Sequence, residues 1–322
     1  DVCRFNMAHA SVEWVKKTVA NIREAGQKAG RSVALLMDVK GPEIRTGDLA
    51  APLTLTKGDL VDFILASGQP AEPGIPQVSV NYPKLITDLK LGDSLLVDSG
   101  MILLKVVQKL PGSLRCTTET GGSLGSRRHI NLPGVRVDLP SLTNKDKQDV
   151  EFGIEMGFDY FALSFVRESA DIELLRRFLI DHHSKARIVA KIEDQQAISN
   201  LESIIRASDG LMIARGDLGI ECPFEELPVI QKRSIALCNQ YCKPAIVATH
   251  MLESMISAPI PTRAEVTDVS NAVLERADCV MLSGETSVGK FPLECIRVLK
   301  RIVERTEQTI LTRPSESVRL ET

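Results

Sequence analysis

Two short apolar runs each end in a cation followed two residues later by a carboxylate: Lys191-Ile192-Glu193 closes one run and Arg215-Gly216-Asp217 closes the next. If both tripeptides continue strands, alternate residues share a face, so Lys191 would point with Glu193 and Arg215 with Asp217. That pattern suits a phosphate held beside a metal. Mg2+ commonly takes one or two protein carboxylates and completes its shell with substrate phosphate oxygens, while nearby cations neutralise the phosphate. Either pair alone could equally be an acidic residue complementing a helix dipole. The ends of the other apolar runs bear on the choice. Arg4 and Asn6, Asp38 and Lys40, Ser164, Lys191 and Glu193, Arg215 and Asp217, Thr249, and Ser283 with Glu285 stand at the ends of seven runs. A topology that gathers those ends at one mouth would place four cations and four carboxylates in one cleft, which implies an anionic substrate with metal.

The texture of the chain suggests such a topology. From about residue 143 one unit repeats, a stretch with helical periodicity, a short β-rich run, then a polar residue. The runs are Tyr160 to Phe165, Ile188 to Ile192, Leu211 to Ala214, Ala245 to Ala248 and Cys279 to Leu282. Leu227, Ile230, Leu237 and Tyr241 mark one helix stripe; Cys295, Val298, Leu299 and Ile302 mark the last, with Pro292 at a first-turn position. Two units precede these: Val2 to Phe5 with a helix from about Ser11 to Ala29, then Val33 to Met37. The alternation predicts an α/β fold, a TIM (β/α)8-type barrel. Seven strands are one short of closure, so the first βα unit is expected to be missing from this chain.

Between Thr46 and about Leu139 the texture changes. Leu60 to Leu65, Ser94 to Val97 and Met101 to Val107 are strand-like runs separated by turn residues. An inserted small all-β barrel is expected there, flanked by Gly41-Pro42 on one side and Pro133-Gly134 and Pro140 on the other, as suits a hinged lid. The expected division is 1–43 and 140–312 for the barrel domain, 44–139 for the lid, and a polar, flexible tail at 313–322.

With 322 residues the chain has ample length for a large core, and its net charge of −3 argues against a surface built for nucleic acid backbone. The seven cysteines (Cys3, Cys116, Cys222, Cys238, Cys242, Cys279 and Cys295) are scattered, several inside apolar runs, and read as reduced core thiols. Cys238 and Cys242 lie one helical turn apart, but nothing nearby completes a zinc set. No apolar stretch reaches membrane-span length and no signal sequence opens the chain, so a cytoplasmic protein with no membrane partner is expected. Three apparent motifs fall away. Gly284 to Lys290 copies the start of a phosphate-binding loop, but Phe291 stands where a Ser or Thr must ligate Mg2+. Arg215-Gly216-Asp217 spells an adhesion tripeptide without the extracellular loop it needs. His182 and His183 sit at the polar end of a helix and read as solvated.

Longer stretches carry a resemblance. Arg4-Phe5-Asn6-Met7-Ala8-His9, Asp38 to Gly47 (DVKGPEIRTG), Lys191-Ile192-Glu193, Ser208 to Glu221 (SDGLMIARGDLGIE), Met251 to Ile256 (MLESMI), Pro261 to Glu265 (PTRAE) and Met281 to Thr286 (MLSGET) resemble the pyruvate kinases in order along nearly the whole chain. The insert, with Gly121 to Ser126 and Asn131-Leu132-Pro133-Gly134, resembles that family's mobile B domain.

The resemblance implies phosphoryl transfer from phosphoenolpyruvate to ADP, giving ATP and, after protonation of enolpyruvate, pyruvate. It implies that Glu193 and Asp217 bind Mg2+ or Mn2+, that Lys191 neutralises the phosphoryl group in flight, and that Arg4 holds the phosphate. Backbone N–H groups near Gly216 and Asp217, with the Thr249 hydroxyl, would receive the substrate carboxylate; Thr249 and Ser283 are candidates for relaying the proton. His9, Arg45 and Arg128 would meet ADP phosphates, and Asp98 would approach the metal–nucleotide complex when the lid closes.

For K+ the family's Asn, Ser, Asp and carbonyl set becomes Asn6, Ala8, Asp38 and the carbonyl of Val39, so one oxygen ligand is lost, while Glu43 is the residue type that accompanies K+ dependence. Arg127-Arg128 replace the usual Lys, which keeps charge and changes its geometry, and His250 replaces a usual Gln. The family's C-terminal regulatory domain has no counterpart here, so allostery through sugar phosphates is not expected; a homo-oligomer, a dimer through the barrel domain, is. Two other readings compete. A Mg2+-enolate lyase of the same barrel class would share the carboxylates, but it needs no nucleotide-binding insert of about ninety residues. A catalytically weakened relative acting as a phosphometabolite- or nucleotide-binding regulator would be expected to lose the lysine and metal carboxylates first.

Overall fold

Runs that are apolar on both faces must be covered on both faces, and a parallel sheet wrapped by helices does this. The structure is a computed structural model and describes residues 1–65 and 74–312. It opens with β1 (Val2–Asn6), α1 (Val12–Ala29) and β2 (Ala34–Val39). The chain then makes an excursion through β3 (Leu53–Leu55), β4 (Leu60–Leu65), β5 (Gln77–Val80), α2 (Leu85–Asp88), β6 (Ser94–Val97), β7 (Ile102–Leu110), β8 (Ser113–Thr120), β9 (Gly122–Leu124) and β10 (Ile130–Asn131). It returns as α3 (Asn144–Glu155), β11 (Tyr160–Leu163), α4 (Ser169–Asp181), β12 (Arg187–Ile192), α5 (Gln195–Ser199), α6 (Leu201–Ala207) and β13 (Gly210–Ala214). After these come α7 (Arg215–Glu221), α8 (Leu227–Gln240), β14 (Ala245–Ala248), α9 (Arg263–Leu274), β15 (Cys279–Met281), α10 (Gly284–Ser287) and α11 (Pro292–Thr312).

Helix limits follow the capping residues. The Ser11 hydroxyl accepts the Trp14 N–H at the start of α1, which ends on Gly30 with φ +62°. Thr143 with Asp146 and Thr262 with Glu265 form reciprocal capping boxes on α3 and α9.

Seven strands pair in parallel in the order β1-β2-β11-β12-β13-β14-β15, a curled sheet of TIM-barrel type whose free edges are β1 and β15. The two faces have separate cores. Met37, Phe161, Leu163, Ile188, Ala190, Ile192, Leu211, Ile213 and Val247 pack outward against the helices. Leu36, Ala162, Val189, Met212 and Ala248 fill the inside of the curl. This alternation decides which side chains reach the mouth: two residues beyond Leu36, Ala162 and Val189 come Asp38, Ser164 and Lys191, with Glu193 next in phase.

The excursion has its own core around Val61, Phe63, Val78, Leu95, Leu104 and Leu114. Its six-stranded sheet runs β10-β6-β7-β8-β4-β5, with β3 paired to β9 beside it. Its two outer strands are not left open. Residues 44–47 lie between them: Arg45 bridges His129 and Thr46 bridges Val80. Thr46 N–H donates to Arg128 O at 2.8 Å and Gly47 N–H to Ser79 O at 2.7 Å, which closes a small barrel. A buried Asp62–Arg115 pair, bonded at 2.8 and 3.0 Å, joins β4 to β8 on the face opposite the core residues Val61, Phe63 and Leu114.

The chain crosses between the two units twice. On the outward side Gly41, at φ +72°, gives its N–H to Asp146 Oδ1 at 3.1 Å. An added Cβ there would press on Ser164 and Phe165, so glycine is required. On the return side the Arg167 guanidinium donates to the carbonyls of Val137 and Leu139. The expected strand ends at Phe165 and Leu282 fall just past β11 and β15, and the expected flexible tail lies outside the described residues. The seven cysteines are free thiols. Among the described residues no helix is long and apolar enough to cross a membrane.

Candidate functional site

At the carboxyl ends of β1, β2, β11 and β12 the inward row becomes ionic. Arg4 bonds Asp38 Oδ2 through Nε and Nη2, each at 2.6 Å. Lys191 Nζ meets Asp38 Oδ1 at 3.1 Å, the Ser164 hydroxyl at 2.8 Å and Glu193 Oε1 at 2.7 Å. The other Glu193 oxygen accepts the Phe165 N–H at 2.6 Å; Phe165 reaches it from a left-handed backbone position, φ +53°. Lys191 and Glu193 therefore do share a face, as strand alternation requires.

Charges in this nearly dry cluster set each other's protonation. Burial works against ionisation of Asp38, but the neighbouring Lys191 and Arg4 outweigh it and hold its carboxyl below the usual range. Burial likewise opposes the Lys191 charge, and Asp38, Glu193 and Asp217 overcome it, so the ammonium is held more firmly than usual. Glu193 goes the other way. Burial, aided by the charge of Asp217 and opposed by Lys191, pushes its carboxyl up to about 7.

Asp217 lies in the first turn of α7, near enough for its charge to act on Glu193, and accepts no hydrogen bond from any described side chain. Two carboxylates that repel each other, one of them without a donor, fit a cation. Among the described residues no three His, Cys, Asp or Glu side chains converge on one point, so a divalent ion there would complete its shell with water and substrate oxygens.

Across the mouth, the Thr249 hydroxyl accepts the Gly216 N–H at 2.7 Å. Thr249 and His250 both have left-handed backbones, φ +70° and +57°. A β-branched residue there costs about 1–3 kcal/mol, a strain typical of functional sites. Among the described residues the buried Ser283 hydroxyl has no partner, while its backbone N–H is held by Glu285.

Two of the expected cleft residues are turned away. Arg215 was expected to share a face with Asp217, but the strand ends at Ala214 and a helix begins, where residues two apart do not face each other. Ala214 takes the inward position, so Arg215 runs outward to Asp268 of α9 at 2.7 Å, Gln231 of α8 at 3.3 Å and the Thr249 carbonyl at 2.7 Å. Glu285 is fully buried and spends both oxygens on backbone N–H groups, of Leu252 at 3.0 Å and Ser283 at 2.7 Å. Lys40 pairs with Glu43 at 3.0 Å beside the outward crossing. The gathering of all seven run-ends in one cleft is thus corrected to a smaller set, because side-chain parity and helix starts divert the rest.

On the inserted unit, Asp98 and Arg128 form an ion pair at 3.3 Å, and Asp98 N–H donates to His129 O. Arg45 is held by Glu43 and by the Arg127 carbonyl. His9 follows β1 as an exposed residue, and no hydrogen bond or ion pair joins it to these three. Asn6 stands opposite Asp38 in the ladder, but its Oδ1 accepts the Ala8 N–H at 3.1 Å, and both Asp38 oxygens are engaged by Arg4 and Lys191; Val39 ends β2. The oxygens expected at a monovalent-cation site are adjacent but internally used.

Sequence reasoning assigned no role to Ser164, which bonds the central lysine, or to the Phe165 N–H. It also assigned none to Glu221, which accepts Asn131 Nδ2 at 2.8 Å across the boundary between the two units. A signal existed for Glu221: a lone carboxylate between Ile220 and Cys222 at a helix end demands a partner.

The family model described as pyruvate kinase, barrel domain, matches residues 1–296. A pyruvate kinase of Geobacillus stearothermophilus is 44% identical over 316 residues, covering 96% of this chain and 53% of that protein. Plastidial pyruvate kinase 2 of Arabidopsis thaliana is 45% identical, with 96% and 53% covered. The solved structure of a pyruvate kinase from Cryptosporidium parvum superposes with a TM-score of 0.91 at 38% identity, covering 96% of this chain and 64% of that one. The chain spans about half the length of the curated relatives it matches.

Proposed function

Because the chain belongs to the pyruvate kinase family, we propose that it transfers the phosphoryl group of phosphoenolpyruvate to ADP and protonates the resulting enolpyruvate. The observation that carries this reading is the buried Arg4–Asp38–Lys191–Glu193 chain with Asp217 facing it. Lys191, held charged by three carboxylates, stands where negative charge spreads over a migrating phosphoryl group, and its fixed position means that little reorganisation is needed at the moment of transfer. Arg4 is partly exposed beside it and can turn one edge of its guanidinium to the phosphate while the other keeps Asp38.

Glu193 and Asp217 would hold Mg2+ or Mn2+, which supplies charge neutralisation to phosphoryl and enolate oxygens when bound. A substrate carboxylate would be received at the start of α7 by Gly216 and Asp217 with Thr249; the Gly216 N–H donates to the Thr249 hydroxyl and that hydroxyl to the Ala248 carbonyl, so these bonds would be exchanged for substrate. Thr249 and the unpartnered Ser283 hydroxyl are the groups available to pass a proton through water to the enolate carbon. Residues 44–139 act in this reading as a lid, with Asp98, Arg128, Arg45 and His9 on the nucleotide side. K+ would bind at Asn6, Asp38 and the Val39 carbonyl, weakly, since Ala8 supplies no oxygen and the two side chains are already engaged. Self-association through the barrel helices and a cytoplasmic location complete the proposal; cytosolic isozymes occur among the similar proteins, alongside plastidial ones.

A lactate dehydrogenase-coupled assay with phosphoenolpyruvate, ADP and Mg2+, with and without K+, tests this directly. Pyruvate formation that needs ADP and Mg2+ supports it. Pyruvate without ADP would favour a lyase, and nucleotide binding without turnover a regulator.

A further inference from the structure

Glu221 closes α7 and is 8% exposed, so its carboxylate must be held by something. Its Oε1 accepts Asn131 Nδ2 at 2.8 Å, and its backbone carbonyl accepts Gln195 Nε2 at 2.5 Å. These bonds lead to three parts of the proposed site. Asn131 lies on β10, in register with Leu96 of β6, and this ladder continues directly into Asp98 and Arg128. Gln195 follows Glu193 by two residues. The seven residues of α7 run as one short rod from Glu221 back past Asp217 to Arg215.

Alongside runs a cavity of about 430 Å3, lined by Asn131, Gln195, Glu221 and Glu193 among others, so close packing does not fix the lid here. The Asn131 amide is 5% exposed and its Oδ1 has no partner, which leaves Glu221 as its only described side-chain anchor. We propose that Glu221 is a positioning residue: it anchors the lid ladder bearing Asp98 and Arg128 to the barrel side of the boundary, so that the lid is held where nucleotide seats, while Asp217 and Glu193 stay placed by their own helix and strand. This rests on the phosphoryl-transfer reading above.

The test uses the full chain, with Glu221→Ala, Asn131→Ala, their double variant, and Glu221→Gln, which keeps a side-chain oxygen for Asn131. Calorimetry reads MgADP binding, and steady-state kinetics read the two KM values separately. Loss of one buried hydrogen bond predicts that each alanine variant weakens MgADP about tenfold. The double variant should be no worse than either single one. The KM for phosphoenolpyruvate should stay within about twofold, and Glu221→Gln should restore MgADP affinity to within about threefold. A purely structural role would lower the melting temperature and raise both KM values together, which overturns the inference. Unchanged MgADP affinity or additive losses also overturn it. If Glu221→Ala does not fold, Asn131→Ala and Glu221→Gln carry the same comparison. A parent chain that turns over phosphoenolpyruvate while the variants match it sinks this inference alone. A parent that binds MgADP without turnover sinks the phosphoryl-transfer reading and leaves the coupling to be read from affinity; a parent that binds no nucleotide sinks both.

Discussion

Replacing Lys191 with Met keeps most of the unbranched apolar stem and deletes the charge. Lys191 is 8% exposed, and its ammonium serves Glu193 at 2.7 Å, Asp38 at 3.1 Å and Ser164 at 2.8 Å. Asp38 would still be held by Arg4, whereas Glu193 would keep only the Phe165 N–H and the repulsion of Asp217. Breaking a buried pair from one side costs about 3–5 kcal/mol; the Arg4 contact puts this case near the lower end, about 3 kcal/mol. For a chain of this size that lowers Tm by roughly 4–5 °C.

The deficit should depend on pH. Glu193 is already raised from 4.5 to about 7, by burial first, and losing Lys191 raises it further. A carboxyl raised in the folded state contributes stability that is present below its unfolded value and lost as pH rises through its folded value. The variant's deficit relative to the parent should therefore be largest near pH 8 and shrink toward pH 5, where Glu193 is protonated in both. Urea denaturation at the two pH values in EDTA measures it, and kcat at saturating substrates should fall about 10²–10³-fold. A deficit equal at both pH values, or a kcat within tenfold of the parent, would refute the reasoning.

Three further substitutions probe separate parts. Gly216→Ala would place a Cβ 3.3 Å from the Thr249 hydroxyl and strain its bond to the Gly216 N–H, so kcat should fall about tenfold with little change in Tm. Arg215→Gln should cost about 2 kcal/mol in urea unfolding through its lost bonds to Asp268 and the Thr249 carbonyl, yet leave the KM for phosphoenolpyruvate within about threefold; a KM rise above tenfold would restore Arg215 as a phosphate ligand. Asp62→Ala breaks the buried pair with Arg115 and should loosen the lid by about 3–5 kcal/mol; hydrogen exchange should speed in β4, β7 and β8 while β11 to β13 stay protected, and equal loss in both units would show that they unfold as one.

Much of the architecture was legible because period and composition are local. The run Leu60 to Leu65 and the run Ala245 to Ala248 are strands to the residue, and Ser11 marks the start of α1. Lys191 with Glu193 was legible for the same reason, since both lie on one strand phase. Arg215 was misread because its phase depends on where β13 stops, and the following Gly216 and Asp217 continue as easily into a helix as along a strand. Glu285 was misread because a carboxylate that caps backbone N–H groups looks the same in sequence as one that awaits a metal. The Asn131–Glu221 bond was invisible because no local pattern links positions so far apart in the chain.

The chain that carries the insert outward also finishes its wall: residues 44–47 are at once the end of the outward crossing and the stave between β5 and β10. Such a vessel cannot be opened by peeling along a seam, because the seam is its own attachment. In the lid motion proposed above it would swing whole, like a bucket on two handles. The shorter handle would turn at Gly41; the longer, gripped by Arg167 at Val137 and Leu139, would act as a strap whose slack limits the arc. A change in either handle should alter how far the vessel tips while leaving its shape intact.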